Sequence, residues 1–490
     1  MHSLLLALAL VQDASPYVPL SHWSMPYVEH WISRGVVMDP APLTRPFTRR
    51  DLAAALAGVD TARLATGELR LLTAVRAELR DPERSAAARV TLHASAGAAT
   101  HSRRDPLRPA GPDKGTAAGG GGLELRLGHL TAATHPYFDT RLRGDPDYRG
   151  KKDRVIAGRN AEAYVDAQWT FGELFFGIVD RNWGPPAIEG LLVSAAPYGY
   201  DHFLLAIGTQ ALRIEGLVAQ LDDLPDTAGV LHHRYYVAHR LLLRPTRHLS
   251  FALWEGTLLA GPERTLEPWY ANLLNLGLLA QYDQGASANN QLGVDVEARL
   301  GAARAFGSVL IDDVQIDRGG AGDDEPPSYG LTVGAQGAVG PVSWTGFYTR
   351  VVNLTYRTSQ VTETVMRRGV GLARDFSDYD QVTIRASAVL GPGLLVAPEV
   401  TLLRQGEGDL RLPYPPSAAY GTTPTFLSGI VERTVRLAVG ARADGRRLGV
   451  RGDAGVHLVH NAGHVTGVSD TRFVGSIALE YRFTWSSSLP

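Results

Sequence analysis

The sequence predicts a mainly β protein: a closed antiparallel transmembrane β-barrel of about 18 strands, preceded by a small N-terminal α-helical bundle. Three observations predict this fold class. Polar and apolar residues alternate from about residue 88 onward, the length of that region suits this number of strands, and the terminal strand is strongly amphipathic.

The composition excludes several classes of protein. The 490 residues are 44% hydrophobic with a mean hydropathy of −0.08. No stretch reaches the ~18–20 uninterrupted apolar residues of a transmembrane helix. A net charge of −2 excludes a nucleic-acid-coating protein, and the absence of cysteine excludes disulfides, thiolate metal sites and cysteine nucleophiles. Lysine occurs only as Lys114, Lys151 and Lys152, which we interpret as genome composition.

The N-terminus predicts export. Residues 4–11 form a short apolar run, and Gln12-Asp13-Ala14 follows it. This order is typical of the h-region and cleavage zone of a signal peptide, although no Arg or Lys precedes the run. We predict a signal peptide at residues 1–14 and localisation in the cell outer membrane.

Residues 16–82 predict three short helices, which form a small soluble bundle or a cap on something larger. The first places Trp23, Tyr27, Val28, Trp31 and Ile32 at helical spacing, and we interpret this stripe as core. A glycine at position 35 ends this helix. The spacing of the threonine at 48 and the aspartate at 51 is typical of a capping box for the second helix. The apolar face of the third, at 66–80, is Leu69, Leu72, Val75, Ala77 and Leu79.

The region 88–485 predicts the barrel. In 161–171 and 292–300, apolar residues alternate with polar ones, which places them on opposite faces of a strand. The region has room for about 18 strands at roughly 20–22 residues per strand and turn. Such a sheet must close, because an open edge in lipid leaves backbone groups unpaired.

The connections alternate in length near the C-terminus. Those at 391–393 and 443–446 are short, whereas 406–429 and 461–470 are long. This is the pattern of short periplasmic turns and long outer loops. Toward the N-terminus the long segments 101–119 and 135–158 break the rule, so we predict no register there.

The terminal strand, 471–485, has an apolar face that ends in three aromatic residues and an opposite face that is charged and small. The apolar face is Phe473, Gly475, Ile477, Leu479, Tyr481, Phe483 and Trp485; the other is Arg472, Val474, Ser476, Ala478, Glu480, Arg482 and Thr484. We predict that this strand closes the barrel by pairing with the first strand near 88–100. Residues 486–490 are expected to hang in the periplasm as a tail.

Two groups of polar residues are candidates for polysaccharide binding or for lining the lumen. The first is Asp180, Arg181, Asn182 and Trp183, where Gly184 and the prolines after it stop a strand pattern. A Trp beside Arg and Asn can stack on a sugar and hydrogen-bond its hydroxyls. It can equally be an interfacial Trp beside a turn, and the residues favour neither interpretation.

The second group falls between residues 272 and 313. Its members are Tyr282, Asp283, Asn289, Asn290, Asp295, Asp312 and Asp313. The adjacent pair Asp312 and Asp313 could form a cation site or half of an acid–base arrangement. Neighbours on a strand point to opposite faces, however, so we favour lumen-lining residues that pair with arginine.

No motif for an enzyme or a cofactor is present in the sequence. HExxH, GxSxG, the Walker loop and the paired-glycine nucleotide fingerprint are all missing. His232 and His233 have no metal-ligand spacing. We therefore predict no cofactor and no metal, and we interpret the histidines as structural or as lining the lumen.

Five segments together resemble the Wzi-type capsule-assembly family of outer-membrane β-barrels. They are WISRGVV (31–37), LTRPFTRRDLA (43–53), DRNWGP (180–185), NNQLGVDVEARL (289–300) and SVLIDDVQID (308–317). The resemblance covers most of the chain. It implies a barrel of about eighteen strands with a periplasmic helical bundle, which holds capsular or related polysaccharide at the cell surface in a lectin-like way, without catalysis.

The expected partners are surface polysaccharide (capsule, exopolysaccharide or lipopolysaccharide) and outer-membrane lipid, with no nucleic acid, and we expect a monomer. Two alternatives stay open. The N-terminal helices also look somewhat like an S-layer-homology module, which favours a porin-type channel tethered to the cell wall. An outer-membrane hydrolase needs a Ser–His pair on the rim, which we cannot locate.

Overall fold

Eighteen long strands form one continuous sheet in the computed structural model, which describes residues 12–80, 85–285, 288–313, 325–391 and 393–489. We number them β1 to β18. They are Ala86–Ala99, Lys114–Leu127, Leu130–Asp139, Ala157–Trp169, Gly172–Ile178, Asp201–Gly208, Leu212–Gln220, Leu231–Thr246, Leu249–Gly261, Asn289–Leu300, Ala303–Asp313, Ser328–Val339, Val342–Val351, Tyr379–Leu390, Leu394–Gln405, Glu432–Asp444, Leu448–His460 and Ser469–Ser488.

The sheet closes as predicted. Each strand pairs antiparallel with the next in the chain, and β18 pairs with β1 from Ala87 opposite Ser488 to Ala99 opposite Ser476. The predicted barrel of about 18 strands is therefore confirmed. The predicted free tail is wrong for residues 486–488, which continue β18. They do so because β1 begins at Ala86 and its first backbone groups need partners.

The two faces of the terminal strand lie as predicted. Phe473 and Trp485 on the outer face are 64% and 52% exposed, whereas Val474 on the inner face is 2% exposed. The same holds elsewhere: Val165 of β4 is 52% exposed on the outside, and its neighbour Asp166 is fully buried inside. The alternation thus separates an apolar exterior from a polar interior.

The connections alternate along the whole described chain between tight turns and long loops. We call the two ends of the barrel the turn end and the loop end. The turns are 128–129, 170–171, 209–211, 247–248, 301–302, 340–341, 391–393 and 445–447. The expected break in the rule near the N-terminus is absent, because β2 already begins at Lys114 and the turn 128–129 separates it from β3.

Three helices cover the turn end: α1 (Met25–Ser33), α2 (Arg49–Ala57) and α3 (Thr66–Glu78). The Thr48 hydroxyl accepts a hydrogen bond from the Asp51 N–H at 3.2 Å, as predicted. The aromatic stripe of α1 is core, with Tyr27 and Trp31 fully buried. The buried face of α3 is Leu71, Leu72, Val75 and Leu79, and the predicted member Ala77 is exposed.

The predicted signal-peptide run 4–11 lies outside the described residues, so the boundary at 14 stays a prediction. None of the described helices combines the length and the apolarity needed to cross a membrane. The helices pack directly onto the barrel, since Leu395 of β15 belongs to their hydrophobic core. The Tyr27 hydroxyl donates to the Gly393 carbonyl in a turn at 3.1 Å.

Candidate functional site

Two segments of the chain meet inside the barrel. The segment 39–48 enters from the turn end, and the loop 179–200 folds inward from the loop end. Thr44–Arg45 and Asn182–Trp183 pair as a two-stranded antiparallel ribbon. The Gly184 N–H also donates to the Leu43 carbonyl at 3.0 Å. The chain therefore occupies part of its own lumen from both ends.

Arg240 of β8 holds this ribbon to the barrel wall. Its side chain is fully buried and pairs with Glu215 of β7 at 2.6 Å. It donates to the Leu43 carbonyl at 3.0 Å and to the Thr44 hydroxyl at 2.7 Å. Its guanidinium lies 4.5 Å from the ring centroid of Trp183. One arginine thus contacts both segments and the wall.

Trp183 is 2% exposed and belongs to the hydrophobic core inside the barrel. In this arrangement it is not available to stack on a sugar, and it does not lie at a membrane interface. Asn182 accepts from the Gly190 N–H at 2.7 Å, and Asp180 accepts from the Gly199 N–H at 3.1 Å. Arg181 is 4% exposed. All four residues of the first predicted group lie within the barrel, where they shape the inward-folded loop.

The second predicted group is split between the inside and the outside of the barrel. Asp295 is 1% exposed inside and accepts from the Ser308 hydroxyl at 2.5 Å. Asp312 accepts from Gln291 at 2.7 Å and from the Tyr356 N–H at 2.6 Å, which anchors the loop 352–378.

Two further members of this group, Asn289 and Asp313, lie at the loop ends of β10 and β11. The Asn289 amide donates to the Glu363 carbonyl of the loop 352–378 at 3.1 Å. Asp313 continues β11, and its pairing with Ser328 follows a shift in register after Ile311. Asp312 and Asp313 are therefore consecutive residues at a register shift near the end of β11.

Tyr282 and Asp283 do not line the lumen, which corrects the prediction for these two. They lie on a helix, α5 (Gly277–Gln284), that follows the one-turn helix α4 (Pro268–Ala271) in the loop 262–288. Tyr282 is 81% exposed. Helix α5 covers outward-facing polar groups of the barrel wall, since the Gly277 N–H donates to Glu255 at 2.7 Å. Asn290 also faces this helix and donates to Gln281 at 2.5 Å.

Part of the lumen stays open to water. Arg385 of β14 and Arg451 of β17 point inward, yet their side chains are 51% and 49% exposed. They pair with Glu399 and Glu480, at 2.5 and 2.8 Å. Half-exposed side chains inside a barrel show that space remains around them. Basic and acidic groups alternate along this wall.

The loop end carries a basic face above strands β1 to β4. The stretches 100–114 and 139–159 hold eleven lysines and arginines and six aspartates, although the whole chain is slightly acidic. They include Lys114, Lys151 and Lys152, so all the lysines of the chain lie at one end of the barrel. Genome composition can account for the small number of lysines, but it does not account for their position at one end of the barrel.

Within the basic face, two arginines contact the ring of Tyr198, and we call these three residues the Tyr198 site. The guanidinium carbons of Arg104 and Arg159 lie 5.1 and 4.9 Å from its ring centroid. Neither arginine has a carboxylate partner among the residues that the structure describes. The Tyr198 hydroxyl donates to Asp145 at 2.5 Å, and burial raises the pKa of this phenol. The site therefore combines a neutral tyrosine with two guanidiniums that have no carboxylate partner in the described chain.

The sequence prediction missed the Tyr198 site because its residues come from two separate loops and from the start of strand β4. The clustering of lysine within 114–152 was the one signal that could have pointed to this end. Among the described residues, no group of histidine and carboxylate side chains could hold a metal ion.

No protein-family model and no curated protein matches the sequence. Among solved structures, the chain is similar to Wzi of Escherichia coli, described as an outer-membrane protein involved in group 1 capsule assembly and as a carbohydrate-binding β-barrel. The identity is 14%, the match covers 98% of this chain and 100% of that chain, and the TM-score is 0.63.

Two further similar structures have lower TM-scores. OprD of Pseudomonas aeruginosa is 11% identical over 81% of this chain and 95% of its own, with a TM-score of 0.45. OccAB1 of Acinetobacter baumannii is 10% identical over 82% and 100%, with a TM-score of 0.46. The fold, which Wzi shares, confirms the predicted outer-membrane β-barrel. In outer-membrane barrels the tight turns face the periplasm and the long loops face the exterior of the cell, and this chain has the same two kinds of end.

Proposed function

We propose that the protein binds acidic surface polysaccharide at the loop end of the barrel, without catalysis. The observation that carries this proposal is the Tyr198 site. Guanidiniums without a carboxylate partner can bind the carboxylates of an acidic polymer in charge-assisted hydrogen bonds, and the Tyr198 ring that both arginines contact holds the two close together. The Arg104 side chain is exposed, so a polymer can reach it.

Two further findings support the proposal. The surrounding basic face attracts a polyanion over a longer range than the site itself. The similar structure of Wzi is described as a carbohydrate-binding barrel with a part in capsule assembly, which favours a capsular or related polymer for this chain as well.

The test is binding of hyaluronan, a uronic-acid polymer, by the purified full-length barrel, with neutral dextran as the comparison polymer. We expect wild type to bind hyaluronan in preference to dextran. Arg104→Gln/Arg159→Gln should bind hyaluronan at least tenfold more weakly, since each charge-assisted hydrogen bond contributes about 1.5–3 kcal/mol. Binding should also weaken as salt is raised from 50 to 300 mM.

Two control variants separate this site from general effects. Arg154→Gln removes a charge from the same face at a side chain that is 82% exposed, and it should change binding less than twofold. Trp183→Phe keeps a buried ring and should leave binding unchanged. Equal binding of hyaluronan by wild type and by the double variant would contradict the proposal.

A channel is the second candidate, favoured by the water-exposed arginines inside the barrel. Planar-bilayer recording distinguishes the two. A blocked lumen gives no steady open state for the wild-type protein, whereas a large and steady conductance would support the channel and count against a barrel closed by its own chain.

A further inference from the structure

The outer wall of the barrel carries a row of charged residues at the loop end of strands β13 to β17. Backbone pairing places five residues side by side: Arg350 opposite Asp380, Asp380 opposite Arg404, Arg404 opposite Arg433, and Arg433 opposite His460. We call these residues the outer arginine row. The row lies on the outer wall at β13 to β17, whereas the Tyr198 site lies at the loop end above β1 to β4.

All five side chains point away from the lumen. Their sequence neighbours on the inner face are buried, as Val351, Tyr379 and Leu403 show with exposures of 0%, 0% and 3%. Side chains alternate along a strand, so the residue next to each of these faces outward. The Arg404 side chain is 49% exposed, and Arg433 and His460 are exposed as well.

The row marks the upper edge of the apolar belt. The next outward positions toward the turn end are Val382, Leu402, Val435 and Leu458. From Leu394 to Arg404 the strand advances ten residues, which is roughly 34 Å along the strand and about 25 Å along the membrane normal at a tilt near 40°. That height equals the usual apolar band, so the row lies at the level of the outer-leaflet headgroups.

The charges within the row are not balanced. Asp380 pairs with Arg404, with Nε to Oδ1 at 2.9 Å. Arg433 directly opposes Arg404 on the same face and makes no ion pair within the described part of the chain. The guanidinium of Arg350 lies over the ring of Phe426 at 3.6 Å and likewise has no described carboxylate partner. Like charges directly opposite on a sheet repel, so an anion between them is stabilising.

The opposite wall of the barrel has no such row. The outward residues at the loop ends of β3 to β8 include Phe138, Gly158, Asp201, Gln220 and Tyr235. None of these is basic. The positive charge is therefore specific to one side and is not a general girdle.

We propose that the outer arginine row is a lateral binding site for a phosphorylated glycolipid of the outer leaflet. Arg404, Arg433 and Arg350 bind its phosphate groups, and the acyl chains lie along the outward residues of the apolar belt, such as Leu402 and Val435. Guanidinium is the preferred partner of phosphate because two parallel N–H donors match two phosphate oxygens. This inference concerns the outer wall and does not depend on the proposed polysaccharide binding.

The test counts lipids bound to the full-length protein by native mass spectrometry in detergent. The probes are lipid A with two phosphates, the same lipid after enzymatic removal of both phosphates, and inorganic phosphate alone. Wild type should retain diphosphorylated lipid A, and Arg404→Gln/Arg433→Gln should bind it roughly thirtyfold more weakly. The matched control is Arg446→Gln/Arg447→Gln, which removes two arginines from the turn between β16 and β17 and should bind as wild type does.

The wild-type comparison needs no variant and therefore holds even if a variant folds poorly. Equal retention of the lipid with and without phosphates would overturn the proposal. So would equal retention by wild type and Arg404→Gln/Arg433→Gln, or binding of inorganic phosphate without any retention of the lipid.

Discussion

The lumen wall has two halves that follow the same alternating pattern but hold different contents. Strands β4 to β13 surround the inward-folded segments and place large side chains against them; Tyr164, Phe175 and Tyr236 are 5%, 0% and 0% exposed. We call this the packed half. Strands β14 to β18 and β1 to β3 form the open half, where Arg385 and Arg451 keep about half of their side-chain surface accessible.

The size of the inward residues accounts for the difference. In the open half, the inward positions of β1 and β2 include Gly97, Gly120 and Gly122, which carry no side chain that could extend into the lumen. In the packed half, the inward positions hold aromatic rings that contact the ribbon and its loop. The same Arg–Glu chemistry therefore occurs in two settings. Arg240–Glu215 is buried, whereas Arg451–Glu480 borders water.

The largest expected effect is that of Arg240→Met in the packed half. Removing one member of a buried ion pair costs about 3–5 kcal/mol, because the charge of Glu215 stays buried after it has lost one of its two ion-pair partners in the described chain, Arg240, and keeps Arg213. The ribbon also loses its contacts at Leu43 and Thr44. We expect a fall of that size in the free energy of unfolding by urea in detergent micelles, and openings in planar bilayers that wild type lacks. A loss below about 1 kcal/mol would contradict the role assigned to Arg240.

The sequence alone predicts the barrel well, because the alternation of polar and apolar residues directly sets which face of a strand each side chain lies on. The faces of the terminal strand and its pairing with β1 followed from it. The tail at 486–488 was misjudged because no pattern of side chains shows how far a strand pairs, which depends on where its partner begins. Helix α3 forms where the sequence predicts it, but its buried face differs from the predicted one, because Leu71 is buried and Ala77 is exposed.

The candidate site was less predictable because loops carry no periodic signal. Nothing in the sequence at 180–183 indicates that the loop folds inward. The two interpretations of Trp183, as a sugar-stacking residue or as an interfacial residue, were therefore equally consistent with the sequence. Tyr282 was assigned to the lumen with its neighbours, but the helix α5 takes it outside the barrel. The Tyr198 site joins residues 104, 159 and 198, and these come together only when strands β1 to β6 pair and the loops between them fold over the end of the barrel.

An intermediate effect is expected at the turn end, where helix α1 contacts the strands at which the two halves meet. His30 Nδ1 lies 2.8 Å from the Ser343 hydroxyl and 3.0 Å from the Ser387 hydroxyl. Burial, with Arg34 nearby, lowers the pKa of His30 to about 4, compared with about 6.5 in an unfolded chain. Between these values only the unfolded state binds the proton. Stability present above pH 6.5 is therefore lost as the pH falls, by about 2 kcal/mol at pH 5.

Thermal unfolding between pH 7 and pH 5 measures this loss, and His30→Gln provides the comparison. Glutamine can still hydrogen-bond Ser343 but does not titrate, so the decline with pH should become shallower. It should not vanish, because burial also lowers the pKa of His22 to about 3. An identical decline in wild type and His30→Gln would show that the contact of α1 with the barrel does not depend on His30.

The smallest expected effect is that of Arg451→Gln in the open half. Its partner Glu480 also lies near Arg442 at 3.2 Å and Arg482 at 3.5 Å, so the carboxylate keeps two cations after the change. A half-exposed ion pair in water contributes less than about 1 kcal/mol. We expect unfolding by urea to shift by less than that, with bilayer behaviour unchanged. A loss as large as that of Arg240→Met would mean that the open half is as tightly packed as the other, and the distinction between the two halves would fail.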